Sequence, residues 1–185
     1  MSSGGDHGST KHLHIEHLLH WLMARTEERR PPDFIIYRRG VPQLLRWYII
    51  PRNRVCNLYL HHFVGSDEDA ALHDHPWHNL SVLLSGRYVE HTIRAGGVHV
   101  KTERRAGDIV ARTPWTAHRV ELEPGEETWS LFITGPKLRS WGFHCAGGWK
   151  HWRSFVDARD GGVIGAGCLG EEEYSRLSSS HQGEG

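Results

Sequence analysis

No run of apolar residues in this chain approaches the ~18–20 needed to cross a bilayer. The N-terminal stretch MSSGGDHGST also lacks the charged-then-apolar order of a secretory leader, so neither membrane insertion nor export is expected. Excess charge of either sign is missing too: 22 Lys and Arg balance 22 Asp and Glu. Without a global basic field, nucleic acid and anionic membranes are poor partners, and a small molecule is the better expectation. Cysteine is scarce. Cys56, Cys145 and Cys168 are odd in number and form no CxxC pair, which points to thiols in a reducing, cytoplasmic setting. No Ser-His-Asp or Cys-His arrangement stands out, and no internal repeat of fixed period is found.

Histidine is abundant, with sixteen in 185 residues, a length that suits one domain. Five of them, His7, His12, His14, His17 and His20, lie in or before KHLHIEHLLHWLMARTEERR. In that segment Ile15, Leu18, Leu19, Leu22 and Met23 recur with helical period, so it reads as a surface helix with its histidines in water. Pro31 and Pro32 stop it. Beyond them come short runs with strand character, Leu44–Ile50, Asn57–Val64, Leu80–Leu84, Tyr88–Ile93, Val98–Glu103, Asp108–Arg112, His118–Leu122 and Thr128–Thr134, separated by Gly and Pro turns. Such a pattern predicts an all-β barrel or sandwich. The segment GPKLRSWGFHCAGGWKHWRSF, with Trp141, Trp149, Trp152 and Phe155, is expected to fold back over the barrel, and its His144 and His151 to pack among the tryptophans. The organisation read from this is a tail and helix over 1–32, a barrel with an aromatic extension over 33–156, and a largely disordered polar tail over 157–185.

The informative stretch is LHDHPWHNLSVLLSGRYVEHT, residues 72–92. Side chains alternate along a strand, so His73 and His75 point to one side and Asp74 to the other, giving one ion two imidazoles. Pro76 ends the pairing there, and Gly86 marks the next reversal. GDIVARTPWTAHRVEL, from Gly107, supplies a third imidazole in His118.

These residues resemble the two motifs of the cupin superfamily. In the first motif His73 and His75 match the His-X-His, Asn79 stands where the family has glutamate, Gly86 is in place, and the opening glycine is absent. In the second, Gly107 and His118 have the family separation, Thr113 stands for the proline with Pro114 one place later, Trp115 for the glycine, and Leu122 for the final asparagine. The resemblance spans residues 40–135. It implies an all-β, single cupin-type double-stranded β-helix barrel, with an N-terminal helix and an aromatic C-terminal extension, that can hold a metal. A three-histidine iron site looks like that of the thiol dioxygenases within the superfamily.

Three neutral imidazoles leave coordination positions open, as a catalytic rather than a closed structural site does. With Asn79 in place of a carboxylate, the ion keeps its full charge and favours an anionic ligand. The cofactor expected is Fe(II), with Zn, Mn, Ni and Cu as other divalent choices. His73, His75 and His118 are the candidate metal ligands. Tyr88 and Glu90 share a face of the next strand: if that face is inward, Glu90 is a fourth ligand or general base and Tyr88 a substrate contact, and if outward both are surface residues. His78 is expected in solvent. Arg87 and Arg112 could anchor a carboxylate, although lone arginines usually face water. Two function classes follow, a metal-dependent oxidoreductase or dioxygenase acting on a small anionic substrate, or a non-catalytic barrel that binds or senses a small molecule; a metal-free isomerase, with acid and base drawn from groups such as His75, Tyr88 and Glu90, is a weaker third. A homodimer is compatible with each.

Overall fold

Short runs of alternating apolar and polar side chains, broken by glycine and proline, can satisfy their backbone groups only by pairing with one another. The protein, seen in a computed structural model, is described over residue 21 and residues 23–67 and 71–169. It divides into two units, Met1–Pro32 and Asp33–Gly185. In the first, residues 23–29 are helical and the helix has ended by Arg30, ahead of the two prolines. The start of the expected helix and its five histidines lie outside the described residues, as does 170–185.

In the second unit two sheets form. One runs in the order β1 (Phe34–Arg38), β2 (Val41–Tyr48), β3 (Asn57–Phe63), β10 (Thr128–Thr134), β5 (Asn79–Ser85), β8 (Ile109–Arg112). The other runs β12 (Gly148–His151), β11 (Gly142–Cys145), β4 (Leu72–His73), β9 (His118–Glu121), β6 (Arg87–Arg94), β7 (Val98–Arg105). Every strand pairing within these sheets is antiparallel. From β3 to β10 the chain passes from one sheet to the other at every connection except the β6–β7 hairpin, so β3-β10-β5-β8 faces β4-β9-β6-β7. That order is the jelly roll, or double-stranded β-helix. Gly86 makes one of these crossings between β5 and β6: its φ is +75°, and a Cβ there would collide with the Glu127 carbonyl.

All eight strands expected from the sequence form, with ends that match or are shifted by at most three residues. Four others were not foreseen. In the first, β1, a bulge at Ile36/Tyr37 accommodates Pro42 on its partner β2. The two-residue β4 is too short to show any period. β11 and β12 turn the aromatic segment into two further strands that extend the second sheet, with β11 paired to β4.

Two expectations are corrected. Cys145 and Cys168 form a disulfide across 23 positions, and only Cys56 is a free, exposed thiol. Spacing carried no hint of it, because the bond is made by residues returning to β11. A disulfide of this kind belongs to oxidising compartments, so the cytoplasmic expectation loses its cysteine support. Residues 157–169, expected to open a disordered tail, are tied down by bridges Val156–Ile164 and Tyr37–Val163 and by that disulfide. Among the described residues no helix is long and apolar enough to cross a membrane.

Inside the barrel the side chains segregate along its length. Leu83, Tyr88, Val110, Val120 and Leu122, with Phe63 against them, close one end as an apolar cluster, each well-buried side chain contributing ~1.5–3 kcal/mol. Toward the other end the inward positions become Glu90, Arg112, Ser81 and Asn79, all buried. A hydrophobic plug thus supports a polar chamber.

Candidate metal centre

The polar end contains the three histidines. His73, at the end of β4, is the register partner of His118 at the start of β9, and the backbone continues past β4 with the same alternation, so His75 returns to the side of His73. One ligating nitrogen from each of His73, His75 and His118 lies within 4.8 Å of the others. Ring centroids stand 4.7 Å apart for His73 and His118, 5.1 Å for His73 and His75, and 5.2 Å for His75 and His118.

The donor set fits a transition metal. His75 Nε2 and His118 Nε2 are 2.9 Å apart. Two nitrogens each ~2.1 Å from one ion and at right angles would be about 3.0 Å apart, so these two rings stand close enough to share an ion. Burial lowers the pKa of all three rings: His73 moderately, His75 well below the usual range with the other two histidines adding to the effect, and His118 to about 3 through burial and the Arg112 charge. The rings are therefore neutral at pH 7, as metal ligands must be.

Asp74, the residue between the two ligands, faces away from them and is almost fully buried. Its carboxylate accepts from the Gly142 backbone N–H at 2.9 Å, Arg139 at 3.0 Å, Trp149 Nε1 at 3.0 Å and His144 Nε2 at 3.1 Å. The His-Asp-His run is thereby locked between the triad and the C-terminal extension. His144 and Trp149 thus serve Asp74 rather than an apolar cover, and Trp149 is 44 % exposed. Beneath them Phe143 stacks on Phe155 and Trp141 on Trp152, while His151 caps the helical turn Trp152–Phe155.

Tyr88 and Glu90 do face inward. Glu90 Oε1 is 2.6 Å from the Arg112 guanidinium and Oε2 is 2.9 Å from Arg104 Nε, while His118 Nδ1 stands 3.3 Å from Oε1. Burial alone would raise the Glu90 pKa; His118 and Arg112 outweigh it and hold the carboxylate well below its ordinary range. A base of so low a pKa has little tendency to take a proton at pH 7. It acts on His118 as a nearby charge: Nε2 of that ring looks toward His75, and Nδ1, 3.3 Å from the carboxylate, makes no hydrogen bond among the described residues. Tyr88 lies one inward position farther, in the apolar cluster, its hydroxyl 3.5 Å from Arg112.

Arg112, expected to face water, is buried and also donates to Ser81 at 3.0 Å. Arg87 is exposed and pairs with Glu126. His78 is exposed, as expected. Asn79 is buried beside Arg112, and among the described residues its Nδ2 has no hydrogen-bond partner, nor has the Oγ1 of Thr134, its register partner on β10. Sequence reading missed Asp74, Arg139, Arg104, His61 and Arg46. The alternation Leu44, Arg46, Tyr48 and Tyr59, His61, Phe63 was the signal available for the last two.

No family profile matches the chain, and no curated protein matches it. Among solved structures it is similar to an uncharacterized conserved protein with a double-stranded β-helix domain from Klebsiella pneumoniae subsp. pneumoniae MGH 78578, at 18 % identity and TM-score 0.45, over 60 % of this chain and 90 % of that one. It is also similar to a proposed mannose-6-phosphate isomerase from Ralstonia eutropha JMP134 (19 % identity, TM-score 0.45, 56 % and 92 % of the two chains) and to Fe(II) HppE (10 %, 0.47, 57 % and 56 %). The order of its own strands makes this chain a double-stranded β-helix, the fold that the resemblance implied, with the three imidazoles gathered at one end of the barrel.

Proposed function

We propose that the barrel is a metal-dependent small-molecule enzyme, an Fe(II) oxidoreductase of the dioxygenase kind acting on a small anionic substrate. The observation that carries this is the convergence of three neutral imidazoles, with two Nε2 atoms 2.9 Å apart, in a chamber that supplies no carboxylate to the ligand set. His73, His75 and His118 would hold the ion. Bound there, iron(II) would supply open coordination positions and one-electron chemistry toward dioxygen. The chain's own contribution is positioning: Asp74 fixes the two ligands on either side of it, Glu90 places a negative charge beside His118, and the apolar cluster closes the far end to water. Charge supports an anionic substrate. Arg46, Arg104 and Arg112 exceed the Glu90 and Asp67 carboxylates by one positive charge before any ion is added, the Tyr88 hydroxyl being held neutral by burial.

The second reading, a barrel that binds or senses a small molecule, has one observation in its favour: Glu90 is committed to Arg112 and Arg104, and Asp67, 4.0 Å from His73 Nδ1, already accepts from the Val120 backbone N–H. One experiment separates the two. Protein purified without a His tag should hold about one transition metal per chain by elemental analysis, and its Fe(II) form should consume oxygen with a member of a thiol and organic-acid panel, a turnover lost in His75→Ala. Tight binding of a panel member with no turnover would favour the binding barrel. Equal metal content in the wild type and in His73→Ala/His118→Ala would end the metal reading altogether.

A further inference from the structure

Leu44, Arg46 and Tyr48 alternate on β2 and pair with Phe63, His61 and Tyr59 on β3, so that all six share the face of the first sheet turned into the barrel. Within this set the Arg46 guanidinium lies 5.1 Å from the Tyr59 ring and 5.6 Å from the Phe34 ring, and its Nε donates to His61 Nε2 at 2.8 Å. Burial and the neighbouring Arg46 charge keep the His61 pKa well below its usual range, so the ring is a neutral acceptor. It contributes no negative charge.

The contrast with the other interior arginines is informative. Arg112 and Arg104 both close on Glu90. Arg46 has no carboxylate within ion-pair distance among the described residues, and burial lowers its pKa. Its two terminal NH2 groups donate to nothing among the described residues. A half-buried guanidinium, fixed by its Nε and flanked by two aromatic rings, with its paired N–H donors unused among the described residues, is a fork for a planar oxyanion. The fork lies on the way to the metal centre: His61 stacks on Phe132 at 5.0 Å, and Phe132 is 5.6 Å from His75.

We propose that Arg46 is the anchor for the carboxylate, or equivalent oxyanion, of the substrate, with His61 fixing the guanidinium and Tyr59 and Phe34 walling the subsite, so that a second donor on the same molecule reaches the centre formed by His73, His75 and His118. The reach to the centre rests on the metal reading above. Anion capture at Arg46 does not. Substrates would then be small molecules with an oxyanion at one end and a ligating group at the other, and amides or esters of the same shape would be rejected for want of charge.

The test uses malonate as probe and uncharged malonamide as control, titrated by NMR into the full chain with and without metal. Malonate should bind the metal-free protein and malonamide should not. Arg46→Gln should weaken malonate by about ten-fold or more while metal content stays as in the wild type, and Arg46→Lys, which keeps the charge and loses the fork, should fall between. His118→Ala should lose metal yet hold malonate in the metal-free state within about two-fold of wild type, so a failure of the metal reading and a failure of this one give different results. If Arg46→Gln does not fold, Arg46→Lys and malonamide carry the test. Malonate affinity unchanged in the folded Arg46 variants, or malonamide binding as well as malonate, would overturn the proposal.

Discussion

His118 has one nitrogen toward the ligand set and the other toward Glu90, and Glu90 is held by two arginines. Glu90→Gln would leave Arg112 buried without its counter-charge, a loss of about 3–5 kcal/mol of the kind seen when one partner of a buried pair is removed. It would also remove the negative charge beside His118, and weakening an outer partner of a metal-bound histidine typically costs ~10–100-fold in affinity. Denaturant melts and metal titration against a competing chelator measure the two effects separately. The pH dependence has a definite sign. Because the pKa of His118 is about 3 in the folded chain and ~6.5 in the unfolded one, the unfolded state binds the extra proton between those values. Stability of the metal-free protein is therefore full above ~6.5 and falls on acidification by up to about 1.4 kcal/mol per pH unit from this ring, His73 and His75 acting in the same direction. Glu90, depressed when folded, adds to the loss only below its ordinary range. Urea melts of metal-free protein at pH 7.5, 6 and 5 check this; a midpoint independent of pH would contradict it.

The element that distinguishes this barrel is the extension of β11, β12 and the turn Trp152–Phe155, which the Asp74 carboxylate binds to β4. Asp74→Asn turns an amide NH2 either toward the Gly142 N–H, which now donates to Oδ1, or toward Arg139, Trp149 and His144, which all donate to Oδ2. A cost of about 2–4 kcal/mol is expected, with a change in near-ultraviolet tryptophan dichroism and weaker metal binding, since Asp74 lies between two ligands. The Cys145–Cys168 bond closes a loop of 23 positions over the same element, so Cys145→Ser/Cys168→Ser should lose about 3 kcal/mol by chain entropy. Thermal melts of wild type with and without reductant should differ in the same direction. Removing 136–156 outright takes away Phe155, now 1 % accessible, and the stacked Trp141 and Trp152, leaving bare the barrel surface they cover, and an insoluble product is the expected outcome.

For the whole molecule, a ligand that binds only the native state stabilises it by mass action. Metal at about a hundred times its dissociation constant should raise stability by about 2.7 kcal/mol, visible as a higher Tm in calorimetry that His73→Ala/His118→Ala abolishes. A Tm raised equally in that double variant would locate the effect elsewhere, in the histidines of the N-terminal segment for instance.

What was legible in the sequence was whatever local chemistry dictates. Period-two runs and Gly or Pro turns determined the all-β class and eight of the strands, and the His-X-His spacing with His118 after Pro114 determined the triad. Periodicity states which residues share a face; it does not say whether that face is inward. Closing the two sheets decided that: it turned Tyr88, Glu90 and Arg112 into the barrel, made Glu90 the partner of two arginines, and left Arg46 without one. The Cys145–Cys168 bond, β11 on β4 and the four donors around Asp74 likewise depend on contacts 23 to 75 positions apart. No local pattern encodes such contacts, because their free energy exists only once the sheets are in register.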